Sequence, residues 1–384
     1  MNCPHSRSRF RRLRRLCSLV CALVGCCSLP PARAQNLDKP LQSIDEEITA
    51  FAYAPDGRIV YAVNRKFKTK LYDLEHDDIW LQDAGGKRRR LLEGQKFNRG
   101  NQPFSYIVNS FRWSANGRFI LAELLTTTVT DESGRTQDSF QTLVLDDGGK
   151  EIRIAKGDSV IPDAADPFFL PDNVTINCLA EAVTPRRLYS LKTARLDTGF
   201  GKSPHEGRTF RELLPLPGVF AAIAVEQDHS MTGPARLQRL KLLIDEHEEL
   251  VTLDGYEGGL SVSPSGKKVA YFIDKEVLEV RDLASPDHLA RVRVGLGVLH
   301  WSPDESRILL KRAIEKKSGD LVWIDLPPLA AIAKDHDIPV SQPEPISILH
   351  GLTFRDFAIS PDGRFLAVVI TGKRNLLVFP LPLR

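Results

Sequence analysis

Cysteine is nearly absent from most of this 384-residue chain. Five of the six, Cys3, Cys17, Cys21, Cys26 and Cys27, crowd the start, and Cys178 stands alone after them. One thiol cannot form an internal disulfide, so a fold built after the start holds without a bridge. Cys178 lies in the strand-like run Val174 to Leu179, where a buried structural thiol is the expectation. Long apolar runs are missing too: beyond the start, nothing approaches the roughly 20 residues of a membrane span. Catalytic signatures are equally scarce. No G-x-S-x-G occurs, which excludes the usual hydrolase elbow, and there is no H-E-x-x-H and no EF-hand loop. Gly201-Lys202-Ser203 has Leu196 where a phosphate loop needs glycine, and Gly295-Leu296-Gly297 has His300 where a dinucleotide loop needs its third. Histidines fall singly, with His76, His205, His229, His247 and His288 expected in loops.

What is present begins with a leader. Arg7, Arg9, Arg11, Arg12, Arg14 and Arg15 precede an apolar stretch from Leu16 to Leu29, and Ala32-Arg33-Ala34 supplies an A-x-A site. Residues 1–34 therefore read as a secretory signal peptide, cleaved before Gln35. Leu23-Val24-Gly25-Cys26 offers a second reading, a lipobox in which Cys26 becomes the lipidated first residue. The leader holds seven arginines and no acid. Without it, 45 basic residues face 49 acidic ones, a net charge of −4. Generic attraction to nucleic acid or an anionic membrane is thus not expected.

The remainder repeats itself. FAYAPDG (51–57), FRWSANG (111–117), LSVSPSG (260–266), LHWSPDE (299–305) and FAISPDG (357–363) each interrupt two strand-like runs. Proline presets the second turn position, Asp or Asn bonds its own backbone, and glycine takes a positive φ. Glu305 stands where the fourth copy should have glycine, which implies strain or a different loop there. A third strand ending in Asp follows, as in residues 79–83 and 322–325, then a fourth such as 89–92. Each unit is a four-stranded antiparallel meander, too small to bury its own faces. A degenerate copy at 168–176 puts Asn173 in the glycine role, and residues 214–253 fill the remaining gap.

S-P-D-G-[RK] before an apolar strand, with a later I-W-x-x-D strand, resembles the TolB-type, WD-repeat-like β-propeller family across roughly residues 41–384. The fold class expected is all-β: a propeller of seven four-stranded blades within residues 35–384. Blades begin near 45, 105, 162, 211, 257, 296 and 353. Only three strands remain after Phe357, so residues 36–43 are expected to supply the missing outer strand and lock the ring. The resemblance implies a non-catalytic envelope scaffold that docks a protein or small ligand, monomeric and without cofactor, periplasmic or secreted. The alternative is a metal-dependent, lactonase-like hydrolase with its site in the central channel.

Register places Asp45, Glu46, Tyr106, Asp166, Glu257 and Arg355 at the channel mouth as candidate binding residues. Lys87-Arg88-Arg89-Arg90 reads as a solvated outer strand that discourages edge pairing, or as an anionic contact. Residues 245–249 form an acidic turn. Trp113 and Trp301 belong to the core, and Trp80 and Trp323 to the packing between blades. Leu329 to Lys334, after Pro327-Pro328, reads as a short helix between the third and fourth strands of the sixth blade. Residues 126–140 and 197–210 read as polar loops. Mass spectrometry of the chain recovered from an exporting bacterium is expected to show an N-terminus at Gln35; an intact leader would refute the cleavage reading.

Overall fold

The computed structural model describes residue 37 and residues 39–381, except 69–72, 98–103, 131–134, 153–159, 163, 181–185, 192–195, 201–207, 229, 231–232, 244–245, 314–318 and 332–337. The leader, Cys26 and Gly201-Lys202-Ser203 lie outside the described residues. Nearly every described element is a strand, and the strands form consecutive antiparallel meanders.

The first meander runs through Ile48–Tyr53, Ile59–Lys68, Asp73–Gln82 and Arg88–Leu92; the second through Phe104–Trp113, Phe119–Val129, Thr136–Asp146 and Val160–Pro162. One parallel bridge, His76 to Tyr106, joins these two into an eight-stranded sheet. The third has Ala164–Phe169, Thr175–Ala180, Arg186–Ser190 and Leu196–Phe200; the fourth has Arg208–Pro215, Ala221–Asp228, Ala235–Lys241 and Glu246–Leu253. The fifth comprises Tyr256–Val262, Lys268–Ile273, Val277–Asp282 and His288–Arg293; the sixth comprises Val298–Trp301, Arg307–Ala313, Gly319–Asp325 and Ile346–Leu352. The seventh has Phe354–Ile359, Phe365–Ile370 and Leu376–Pro380, and its outer position is taken by Gln42–Ile44 from the other end of the chain.

The repeated turn works as its chemistry predicts. Gly363 closes it at φ 72° and donates its N–H to Ser360 O at 2.8 Å. Ser360 Oγ donates to Asp362 Oδ1 at 2.6 Å and accepts from Phe365 N at 2.9 Å, so the buried serine fastens both arms. Asn173 takes the glycine role at φ 58°. Glu305 adopts φ 57°, a costly conformation for a non-glycine residue. Its carboxylate offsets this by accepting the Ser265 N–H of the neighbouring turn at 2.6 Å and facing Lys268 at 3.7 Å.

Apolar layers lie between successive meanders. Tyr271 and Val269 pack with Ile223 and Leu237; Phe272 and Val280 pack with Trp301 and Ile308; Trp323 and Ile348 pack with Phe357 and Leu366. A further layer joins the last meander to the first, where Ala367, Val369, Leu376 and Val378 meet Ile44, Ile48, Phe51 and Tyr61. Trp80 sits against that layer and Trp113 against the one between the first two meanders.

Two expectations are corrected. The described part of the expected helix is not helical: Ala330–Ala331 pairs antiparallel with His288–Leu289, and further on Val340–Ser341 pairs parallel with Arg291–Val292. The free edge of the fifth meander offers backbone partners that outweigh the local helix preference of Leu-Ala-Ala; residues 332–334 lie outside the described set. Most of 126–140 is hairpin rather than loop, since its strands pair as far as Val129 and Thr136. In the 197–210 region, residues 196–200 and 208–215 are strand.

Ile44 is buried in the layer joining the two chain ends. Ile44→Ala is expected to cost about 2–4 kcal/mol and to lower the melting temperature measurably; an unchanged melting curve would show that this strand contributes nothing.

Candidate functional site

Six innermost strands carry a register shift near their start: between Ile48 and Phe51, Val108 and Ser110, Ala165 and Phe168, Phe210 and Glu212, Tyr256 and Ser261, and Phe354 and Asp356. A bulge leaves backbone groups without ladder partners. At five of the six, a side chain of the preceding meander supplies a partner. Asp77 Oδ2 accepts from Val108 N at 2.7 Å, Glu123 Oε1 from Asp166 N at 2.9 Å, and Glu212 Oε2 from Leu260 N at 2.9 Å. Lys311 Nζ donates to Phe354 O at 2.7 Å. Arg355 Nη2 donates to Ile48 O at 2.7 Å and also to Thr49 O, tying the last meander to the first.

The predicted residues differ in setting. Asp45 is exposed and accepts from Ser43 Oγ and Asn375 Nδ2, both at 2.7 Å. Glu46 accepts from Arg65 Nη2 at 2.6 Å and Arg88 Nη2 at 2.7 Å. Burial raises its carboxyl, but Arg88 and Arg65 outweigh burial and hold it below the ordinary value. Tyr106 is fully buried, so it lines no mouth. Its hydroxyl donates to Asp77 O at 2.9 Å and its ring stacks on His76 at 5.1 Å. Burial, then the charges of Asp77 and Asp78, push the phenol far up. Asp166, exposed, holds the bulge at φ 45°. Glu257 is exposed and its carbonyl accepts from Arg211 Nη2 at 3.2 Å. Asp45, Asp166 and Glu257 thus have separate settings, and among the described residues no group of three or more His, Cys, Asp or Glu side chains is placed to hold a metal ion.

Sequence reasoning missed Asp77, Glu123, Glu212 and Lys311, the residues that join the meanders. The available signal was a charged residue inside an apolar strand run, as in Phe119-Ile120-Leu121-Ala122-Glu123-Leu124. It also passed over Asp356, which reaches solvent although protein crowds it, so that burial pushes its carboxyl up against the pull of Phe357 N–H, Arg355 and Lys311.

The charged runs are spent internally. Arg88 reaches Tyr61 Oη at 2.5 Å, and both Arg88 and Arg90 lie over the Trp80 ring, at 5.5 and 5.9 Å. Arg89 donates to Gly148 O at 3.1 Å and to Asp147 O of the next meander. Of the acidic turn, Glu246, Glu248 and Glu249 pair across strands with Lys241, Arg239 and Arg236 at 2.5, 3.0 and 2.8 Å. His76, His247 and His288 belong to strands rather than loops.

The opposite end, formed by the repeated turns, is different. An open depression of about 410 Å³ is lined by Asp304, Ser306, Arg307, Asp325 and Leu326. Bonds from Ser302 and Ser306 hold the Asp304 carboxyl down at about 2. On the fourth meander, Val219, Phe220 and Leu243 are 49%, 39% and 50% exposed. Leu242 N donates to Phe220 O at 3.0 Å, which brings the two turns carrying them together. Other copies carry a basic residue after the turn glycine, such as Arg58, Arg118, Lys267 and Arg364; here the position is Val219.

No family model and no curated protein matches the chain. Solved structures do. A chain of the mitotic checkpoint complex is 14% identical, with a TM-score of 0.51, covering 94% of this chain and 99% of that one. The β-propeller domain of Myceliophteria thermophila Cps50 (Swd1) is 11% identical, with a TM-score of 0.54, covering 89% and 100%. The fold is a WD-repeat-like β-propeller.

Asp77 gives a pH test of the joints. Burial pushes its carboxyl up to about 6, against bonds from Thr49, Val108 and Asn64. Its folded value lies above its unfolded one, near 3.9. The folded state therefore takes up the proton first, and this group's contribution is complete below about pH 4 and lost as pH rises through 6. Asp304 acts oppositely, at lower pH. Asp77→Asn is expected to flatten the slope of denaturation free energy between pH 4 and 7; an unchanged slope would show that Asp77 ionises normally.

Proposed function

We propose that this chain is an exported, non-catalytic propeller that docks a protein partner on its turn end, through Val219, Phe220 and Leu243. The observation that carries this reading is the contrast between the two ends. Where the innermost strands begin, Asp77, Glu123, Glu212, Lys311 and Arg355 are committed to joints between sheets, and the exposed groups there include the charged Asp45, Asp166 and Glu257. On the turn end, three large apolar side chains stand exposed together, the kind of feature that marks an interaction surface rather than a monomer's ordinary exterior. Protein docking also suits a chain similar in fold to a propeller within the mitotic checkpoint complex.

The reading includes seven four-stranded blades in a closed ring. Gln42–Ile44 on the last sheet and the apolar layer between last and first meanders support it. TolB-type kinship, a periplasmic or secreted location and a monomeric state belong to the same reading, supported by the leader and the repeated S-P-D-G turns. Nucleic acid is not the partner chemistry at a net charge of −4 without the leader.

The test is photo-crosslinking in the envelope of the exporting host, with a probe beside Leu243. The unaltered chain is expected to give a discrete adduct. Val219→Asp with Phe220→Asp and Leu243→Asp is expected to abolish it while leaving stability within about 0.5 kcal/mol, as for surface changes generally. No adduct from the unaltered chain, or an undiminished one from the variant, would reject the docking role.

A further inference from the structure

The repeated turn rests on one bonding pattern, and the second meander makes it with an amide where others use an acid. In the sixth meander Asp304 Oδ1 accepts from Ser302 Oγ at 2.5 Å and from Ser306 N at 3.2 Å. In the seventh, Asp362 Oδ1 accepts from Ser360 Oγ at 2.6 Å and from Arg364 N at 3.1 Å. Asn116 Oδ1 makes the same two bonds, from Ser114 Oγ at 2.8 Å and from Arg118 N at 3.1 Å. Its Nδ2 has no partner among the described residues.

The second carboxylate oxygen is what the amide lacks. Asp56 Oδ2 meets Arg58 Nε at 2.7 Å, and Asp362 Oδ2 faces Arg364 Nε at 4.0 Å. In both turns the arginine stands two residues after the acid. Arg118 stands two residues after Asn116; it is exposed, and its guanidinium has no ion pair among the described residues. An arginine thus occupies the pairing position of a turn whose acid is missing.

Asn116 also precedes Gly117, and this is the one Asn-Gly pair of the chain. Glycine carries no Cβ to obstruct its own nitrogen, so an asparagine before it is the most open to attack by the following backbone amide. We propose that Asn116 is a site of spontaneous deamidation, and that the aspartate formed completes the Asp–Arg pairing of the second turn. Gly117 N attacks Asn116 Cγ and loses its proton to solvent. The new C–N bond closes a succinimide, and the Cγ–Nδ2 bond breaks to release ammonia. Water then opens the ring. Addition at Cγ restores the normal backbone with aspartate at 116, and addition at the main-chain carbonyl gives isoaspartate, one backbone atom longer.

The closed turn holds the attacking nitrogen, because Gly117 N donates to Ser114 O at 2.9 Å. Reaction therefore waits on local opening, which the exposed Ala115, Asn116 and Arg118 permit. On reclosing, aspartate refits: one oxygen takes the bonds from Ser114 and Arg118 N, and the other faces the Arg118 guanidinium. The longer isoaspartyl backbone displaces Gly117, whose carbonyl accepts from Arg58 Nη2 at 2.8 Å. None of this depends on the docking reading or on export.

The folded full chain is to be incubated at mildly alkaline pH, digested and mapped by mass spectrometry, beside a synthetic peptide of residues 111–121. Asn116 is expected to show the NH2-to-OH mass change in both, about tenfold or more slowly in the folded chain, as a closed turn requires. An unmodified Asn116 in the chain once the peptide has converted, or equal rates in both, would overturn the proposal. The pairing is tested with Asn116→Asp, which makes the product directly. This variant is expected to melt above the unaltered chain at low salt and to lose the gain at high salt, as a surface ion pair does. No gain at low salt, or a gain that survives the addition of Arg118→Ala, would overturn the pairing.

Discussion

A four-stranded sheet has two faces and too few residues to cover either. That constraint governs the molecule. Each meander here is apolar on both sides because each is flanked by another, and the layers of Tyr271 with Ile223, or Trp323 with Phe357, exist only between sheets. Burying one such side chain contributes roughly 1.5–3 kcal/mol, and no single meander could realise that alone. Stability accumulates along the chain as neighbour meets neighbour.

Packing by itself leaves the approach of one sheet to the next loosely specified, since apolar contact has no direction. The bulged starts of the innermost strands supply direction. Each frees backbone groups at a defined place, and at five of the six a carboxylate, ammonium or guanidinium of the preceding sheet is aimed at them. Asp77, Glu123, Glu212, Lys311 and Arg355 act alike in this sense, although two charges and three strand positions are represented. The consequence is that these five charges are committed to holding the sheets together. What the packing does not consume includes the exposed apolar side chains on the turn end, Val219, Phe220 and Leu243.

The architecture was legible because turn chemistry is local. Proline, Asp and Gly act within four residues, so five worn copies announce the meander wherever they occur. Asn173 was legible for the same reason, being the residue that best tolerates glycine's backbone region. The joints were not legible: Asp77 meets Val108 and Glu212 meets Leu260 across dozens of residues, and nothing in the local pattern names the partner. Tyr106 was misplaced because register counts positions along a strand without seeing the bulge that shifts them. The segment at Leu329 was misread because Leu-Ala-Ala favours a helix in isolation, while a neighbouring sheet edge decided otherwise.

The strand Gln42–Ile44 has a consequence in time. Asp45, just beyond it, bonds to Asn375, 330 residues away. At roughly 5–20 residues per second of synthesis, such a wait is on the order of tens of seconds. The earliest strand made is the last to find its place, and through that interval the molecule carries an unsealed flank. Contacts this remote slow folding, so the final sheet is the step at which chaperones have most to protect.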